Sequence, residues 1–285
     1  MKVTVIVTVY NRLEYTRNIV LCLLNQTRNI EELIFVDDGS KENLKDYIAD
    51  LLPKCNFKIK HIYQADLGFR LSRSRNNGVR NAEGDYLIFL DQDVVFPNDF
   101  IENICKNSKK KVMTYTKPIA SDENEKNEIQ KLLYYNFNYN EVYKNIKKEV
   151  HEVREKSMKK DRFYSFLHNC HLRSRGGKIA GLMFALYKED YININGFDEK
   201  YKAYGYEDDD FGNRFFKYGG KTKPVVFLEY PVHMYHYFDS TKKHDLNKDY
   251  YQQRKKEIFL KNDFFCEFGF KNSIDKDEVK VNILK

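Results

Sequence analysis

In the first third of the chain, unbroken apolar runs alternate with stretches of helical spacing. Val3 to Val9 is β-branched throughout and predicts a buried strand. Tyr10-Asn11-Arg12 interrupts it. Tyr15, Ile19 and Leu23, with Val20 and Leu24, then recur at the spacing of one helix face. Leu33 to Val36 is a second strand, ended by Asp37-Asp38-Gly39-Ser40. There Gly39 allows a tight turn, and Ser40 is expected to cap a helix from about Lys41. Leu44, Ile48 and Leu51 or Leu52 form that helix's stripe, and Pro53 follows its end. Phe57 to Tyr63 alternates as a third strand, and Ser72 to Ala82 reads as a basic helix. Tyr86 to Leu90 is a continuous apolar run, as in a strand buried on both faces. Strand and helix alternating over short connections predict an α/β fold with a doubly wound, mostly parallel, Rossmann-like sheet flanked by helices.

The second half is less regular. A short helix after Pro97 and a strand over Val112 to Thr116 continue the pattern. From 118 to 175 polar and charged residues dominate, and Glu141 to Lys160 is dense in Lys and Glu. This predicts an inserted helical or mobile region without a core of its own. Order resumes with a strand over Ile179 to Leu186, a short helix over Lys188 to Ile194, and strands over Thr222 to Phe227 and Val232 to Tyr237. The tail reads as one amphipathic helix after about Asp245 and then a polar end. The expected division is one domain over 1–240, made of halves 1–117 and 176–240 around the 118–175 insertion, and a helical tail over 241–285.

Composition narrows the class. The 285 residues are 42% hydrophobic, enough for a real core, and carry a formal net charge of +7. That excess fits an anionic partner such as a nucleotide, a phosphorylated acceptor or an anionic membrane surface. No nucleic-acid fold motif occurs, so no nucleic-acid partner is expected. The cysteines, Cys22, Cys55, Cys105, Cys170 and Cys266, are scattered and odd in number. They predict a reducing compartment and no disulfide framework. No apolar run reaches transmembrane length and no leader-like segment opens the chain, so a cytoplasmic protein is expected.

Two acidic centres carry the candidate chemistry. Asp91 and Asp93 follow the Tyr86–Leu90 strand, at the end where open α/β sheets bind ligands. Residues i and i+2 of an extended chain point the same way, so both carboxylates can aim at one point while Gln92 faces away. Such oxygen ligands suit Mg²⁺ or Mn²⁺. The plainer alternative is a strand-end turn with two solvated acids. The second centre is Tyr204-Gly205-Tyr206 followed by Glu207, Asp208, Asp209 and Asp210. Helix-dipole preference accounts for one or two acids at a helix start. Four adjacent like charges repel, which points to a site that uses some of them for hydroxyl binding or proton abstraction.

Val3 to Arg12 and Val36-Asp37-Asp38-Gly39-Ser40 resemble the opening of family-2 glycosyltransferases with the GT-A nucleotide-sugar fold. Gly68-Phe69-Arg70-Leu71, Arg75-Asn76-Asn77-Gly78 and Phe89-Leu90-Asp91-Gln92-Asp93 look like segments of bacterial chondroitin-polymerase-type transferases. Ile194 to Phe197 and Gly205 to Arg214 are similar to the acceptor segment of β-1,4-galactosyltransferases. The matches run in family order over roughly 1–240 and leave the insertion and tail uncovered. The resemblance makes 1–117 the nucleotide-binding half and 176–240 the acceptor-binding half.

It also implies roles. Thr8, Tyr10, Arg12 and Asp38 would line the uridine pocket, with Arg75 and more weakly Arg70 on the nucleotide or phosphates. An exposed basic helix face is the other reading of those arginines. Asp91 would face the ribose or the metal, and Asp93 would ligate Mn²⁺ (or Mg²⁺). Related enzymes take a further ligand from a histidine here. His236 is preferred and His233 is its rival, since on a strand the two would face opposite sides. Asp208 would be the general base, Asp209 with Glu207 would hold the acceptor sugar, and Tyr204 would stack on it. The Ile179–Leu182 segment is small where the galactosyltransferases carry an aromatic, leaving room for an N-acetyl group on the donor. The expected activity is metal-dependent, inverting transfer of a hexose or N-acetylhexosamine, with Gal or GalNAc favoured, from a UDP-sugar to a saccharide or glycolipid acceptor. The setting would be bacterial surface polysaccharide or lipooligosaccharide synthesis, with peripheral contact to the inner membrane face. A nucleotidyltransferase would need a glycine-rich loop after the first strand, and Tyr10-Asn11-Arg12-Leu13 is not one. A non-catalytic or degenerate sugar- or nucleotide-binding protein of the same fold is the remaining alternative.

Overall fold

Every residue of β1 (Val3–Val9) is buried, as its unbroken apolar run requires. This comes from a computed structural model that describes residues 1–135, 137–179, 181, 183–237 and 246–285. After β1 come α1 (Glu14–Leu24), β2 (Glu32–Asp37), α2 (Leu44–Ile48), β3 (Lys58–Gln64), α3 (Leu71–Asn81) and β4 (Tyr86–Asp91). Then follow β5 (Val94–Val95), α4 (Phe100–Lys106), β6 (Val112–Tyr115) and β7 (Ile119–Ala120). The insertion holds α5 (Glu123–Tyr135), α6 (Tyr139–Lys144) and α7 (Lys148–Asn169). The second half holds β8 (Met183–Tyr187), α8 (Lys188–Asn193), α9 (Glu207–Lys217), β9 (Lys221–Pro224) and β10 (Val232–His233), and the tail α10 (Lys248–Lys261) and β11 (Val279–Ile283).

The main sheet has eight strands in the order β11-β3-β2-β1-β4-β8-β6-β9. β1 lies parallel between β2 and β4, with Val9 opposite Asp37 and Thr8 opposite Asp91. The carboxyl ends of these three strands are level, so the acids that end them share one edge of the sheet. β5, β10 and β7 form a small second sheet. Pairing of Val232 with Val95 and of His233 with Val94 brings the end of β10 beside the turn that follows β4.

Helix α3 seats itself closely on the sheet. A Cβ on Gly78 would lie 2.7 Å from Ile6 and 2.9 Å from Val36, so only glycine permits this approach. The helix is not an exposed basic face: Arg70, Arg73 and Arg75 are all buried at its start or within it. The insertion is helical and shares the main core. Ile129, Leu133, Tyr139, Val142 and Met158 are buried in one apolar cluster with β1 and β4. Among the described residues, no helix is long and apolar enough to cross a membrane.

Three local expectations are corrected. Ser40 does not cap a helix. Its hydroxyl accepts the Asn11 N–H at 2.8 Å, tying the loops after β1 and β2 together. The cap of α2 is Asn43, whose side chain accepts from the Lys45 N–H. The run Val232 to Tyr237 is a strand only as far as His233. The polar end of the tail contains β11, which pairs antiparallel with β3 from Val279–Gln64 to Ile283–Lys60.

Candidate active site

Arg75 is the centre of the carboxyl edge. It is 1% exposed, and the close seat of α3 carries it to the ends of β1 and β4. Its Nη1 donates to Asp208 Oδ1 at 2.8 Å, and Nη2 donates to the Gly181 carbonyl at 3.0 Å. The same Nη2 stands 3.6 Å from Asp91 Oδ1. The guanidinium lies over the Phe197 ring at 4.7 Å, a stacked geometry that lysine does not reproduce. The second oxygen of Asp208 accepts the Gly181 N–H at 2.9 Å. Both oxygens of the predicted base are therefore held. Burial pushes the Asp91 carboxyl up, against the opposing charge of Arg75. Thr8 donates its hydroxyl to Asp91 Oδ1 at 2.7 Å.

Asp93 has different partners. The chain turns after β4, and Asp93 meets His233 Nε2 at 3.4 Å, His236 Nε2 at 3.1 Å and Arg12 Nη1 at 3.5 Å. Both histidines converge on one carboxylate because the chain leaves the strand after His233. Opposed faces hold only on an extended chain. Burial pushes the Asp93 carboxyl up, but the two imidazoles facing it, with the charges of His233 and Arg12, hold it well below the usual carboxylate range. The His233 imidazole is pulled down by burial and, more strongly, raised by Asp93.

One ligand atom from each of Asp93, His233 and His236 lies within 4.8 Å of the others, and Asp91 is not in that group. Asp93 Oδ1 is buried, and the His233 Nε2 that faces it at 3.4 Å is too far for a well-formed hydrogen bond. A carboxylate oxygen with a free lone pair beside two imidazole nitrogens fits Mn²⁺.

The remaining predicted residues spread along the same edge. Asp38 accepts from Gln64 Nε2 at 2.6 Å and from the Arg70 N–H at 2.8 Å, and burial pushes its carboxyl up to about 6. Tyr10 is 44% exposed, and its hydroxyl reaches Asp66 at 3.1 Å. Arg70 is turned to Asp277, 2.9 Å from Nη1, and to Asp275. Tyr204 meets Phe69 edge-on at 5.9 Å.

The four acids of α9 divide their tasks. Asp208 faces Arg75. Asp209 pairs with Lys178 at 2.8 Å. Asp210 forms a fully buried pair with Arg214 at 2.6 Å, a structural use that the i,i+4 spacing encodes. Glu207 is buried, and burial first, then the charge of Asp208, pushes its carboxyl up to about 8. The helix is entered through Gly205 (φ 99°) and Tyr206 (φ 73°), so the chain reverses sharply before its first turn.

Gln92 is a residue the sequence reading set aside. Its Oε1 accepts the Tyr10 N–H at 3.1 Å, and its Nε2 donates to the Asn11 carbonyl at 3.0 Å. Asn11 and Arg12 have φ of 51° and 49°. Two consecutive left-handed non-glycine residues cost about 1–2 kcal/mol each. Gln92, together with Ser40, holds this loop in the shape that aims Arg12 at Asp93. Of the segment read for donor size, Ala180 and Leu182 lie outside the described residues.

Residues 4–171 match the profile described as "Glycosyl transferase family 2", and residues 161–237 match "N-terminal domain of galactosyltransferase". Chondroitin synthase of Escherichia coli is 29% identical over 235 residues, 76% of this chain and 32% of that protein. The chain spans less than a third of the length of this and the other leading curated relatives. S. aureus TarS 1–349, solved with UDP-GlcNAc, superposes with a TM-score of 0.60 at 14% identity, over 95% of this chain and 69% of that one. The mannosyltransferase PcManGT of Pyrobaculum calidifontis, solved with GDP-Man and Mn²⁺, gives 0.55 at 16% identity, over 82% of this chain and 56% of that one. These likenesses bear out the expected GT-A fold.

Proposed function

The chain belongs to glycosyl transferase family 2, and from that premise we propose a metal-dependent, inverting transfer of Gal or GalNAc from a UDP-sugar to a saccharide or glycolipid acceptor. The observation that carries this reading is the convergence of Asp93, His233 and His236 next to Asp91, which adjoins Arg75 and Asp208. Asp93 and the two histidines hold Mn²⁺ or Mg²⁺. When bound, that ion neutralises charge on the departing diphosphate. Thr8, Tyr10, Arg12 and Asp38 receive the uridine end, and Arg75 orients Asp91 and Asp208.

Asp208 takes the proton of the acceptor hydroxyl. The acceptor oxygen forms its bond to the anomeric carbon as the bond from that carbon to the diphosphate oxygen breaks on the opposite face. The products are a β-linked saccharide and UDP. Glu207, protonated at neutral pH, donates a hydrogen bond to the acceptor sugar, and Asp209 accepts one. The match of 161–237 to a galactosyltransferase profile supports Gal or GalNAc. The relation to a chondroitin synthase supports surface polysaccharide or lipooligosaccharide assembly in a bacterium. A site at the cytoplasmic face of the plasma membrane suits a nucleotide-sugar donor and a lipid-borne acceptor.

The test is the thermal unfolding midpoint with UDP, alone and with Mn²⁺, for the wild type and Asp93→Ala. A ligand that binds only the folded state raises that midpoint. The expected rise needs Mn²⁺ and vanishes in the variant. No rise with UDP under any condition would sink the uridine-donor reading.

A further inference from the structure

The carboxyl-terminal end of α7 carries features that the transfer reaction does not use. Phe163 and Phe166 are 57% and 60% exposed, and Leu172, just past the helix, is 74% exposed. Large apolar side chains grouped on a surface mark a contact. Lys156, Lys159, Lys160 and Arg162 stand on the exposed side of the same helix. The single acid between Lys156 and Arg175, Asp161, is buried against Lys117 and Tyr115 and does not offset these charges at the surface.

Beside this patch is a cleft of about 380 Å³ lined by His168, His171, Leu172, Arg173 and Ser174. Nδ1 of His168 and Nη1 of Arg173 are buried without a hydrogen-bond partner among the described residues. Both side chains are held in place: Arg173 lies 3.8 Å over the Tyr164 ring, and His168 meets Phe216 at 4.9 Å. Buried nitrogen atoms without partners are costly, and an anionic oxygen arriving from outside relieves that cost. Aromatic side chains beside basic ones are the composition of a segment lying in a lipid interface.

We propose that this end of α7 docks on an anionic membrane, with Phe163, Phe166 and Leu172 in the interface and a lipid phosphate in the cleft between His168 and Arg173. The proposal rests on the reading of the acceptor as membrane-borne, and the chain connects the two places. From the cleft it runs through Arg175, bonded to Asn213 of α9 at 3.4 Å, and Lys178, paired with Asp209 at 2.8 Å. It then reaches Gly181, whose N–H meets Asp208 at 2.9 Å. Docking here sets the last turn of α9, where Phe216 meets His168, beside the lipid surface, with the first turn further along the same helix.

The test is flotation of the full chain with vesicles of phosphatidylcholine alone, or of phosphatidylcholine with about one third phosphatidylglycerol. Binding is expected to the anionic vesicles only. It should weaken at least about fivefold in Phe163→Ser/Phe166→Ser, in Arg173→Gln and in Lys159→Glu/Lys160→Glu. Each variant should keep the Mn²⁺-dependent rise in midpoint with UDP, which shows that it is folded. Equal binding to neutral vesicles, no binding to anionic ones, or undiminished binding by the variants would each overturn the proposal. So would a rise in midpoint with inorganic phosphate that needs Arg173 but comes without vesicle binding, which would mark a site for a free anion. Vesicle binding without any UDP effect would leave the docking surface standing and count against the donor reading alone.

Discussion

Nη1 of Arg75 and Oδ1 of Asp208 lie 2.8 Å apart, although 133 positions separate them in the chain. Through this contact one buried cation joins the nucleotide half to the acceptor half, and its other nitrogen faces Asp91 at 3.6 Å.

Replacing that cation tests the arrangement. Arg75→Ala leaves two partly buried carboxylates facing each other, and removal of one partner of a buried pair costs about 3–5 kcal/mol. Arg75→Lys restores the charge but not the fork or the stacking on Phe197. We expect urea denaturation to show a large loss for the alanine variant and a smaller one for lysine, with sugar transfer abolished in both. Full transfer by Arg75→Lys would mean that the fork does not orient Asp208.

Both histidines converge on Asp93, and both are expected to matter. His233→Ala and His236→Ala should each weaken Mn²⁺ binding by at least about tenfold. Titration of the Mn²⁺-dependent rise in unfolding midpoint with UDP measures this. If one variant binds Mn²⁺ like the wild type, that histidine is only a hydrogen-bond donor to Asp93.

Glu207 makes stability depend on pH. Its carboxyl moves from the ordinary 4.5 to about 8 in the folded chain, so between these values the folded state binds the extra proton. Stability from this group is complete below about 4.5 and is lost as pH rises through about 8. Glu207→Gln should flatten the fall in unfolding midpoint across that window. An unchanged pH profile would show that Glu207 is ionised in the folded chain.

Asp277 closes the far side of the nucleotide half. It accepts from Arg70 Nη1 and Arg73 Nη1, each at 2.9 Å, and both arginines are buried. Asp277→Ala should cost about 2 kcal/mol, the scale of a lost hydrogen bond to a charged group. Denaturant midpoints would read this, and a variant as stable as wild type would show that water replaces the carboxylate without cost.

Strands β1, β2 and β4 were legible because burial on both faces leaves unbroken apolar runs. The candidate metal group was legible only in part. Asp93 and the two histidines stand out in the sequence, but the run Val232 to Tyr237 gives no sign that extended pairing stops at His233. Strand β11 was not legible. Its Val-Lys-Val-Asn-Ile alternation is mostly exposed at a sheet edge, so it resembles any polar tail. The pairing of Arg70 with Asp277 has no local trace at all, because 207 positions separate them. Asp210 was left without a role although its partner Arg214 is only a turn away, because proximity to three other acids hid a structural pair.

The place of β11 has a consequence for how the chain reaches its folded state. Until residues 279–283 arrive, β3 is the open margin of the sheet, and its unpaired backbone invites pairing with another molecule. Contacts of such long sequence separation form late. Lys58 and Lys60 lie on that margin and meet Glu83 at 2.7 and 2.8 Å. Charged side chains there discourage a second strand from adding in the interval. Until β11 docks, the open β3 margin is where aggregation can compete, and a shortened chain lacking β11 would stay exposed to it.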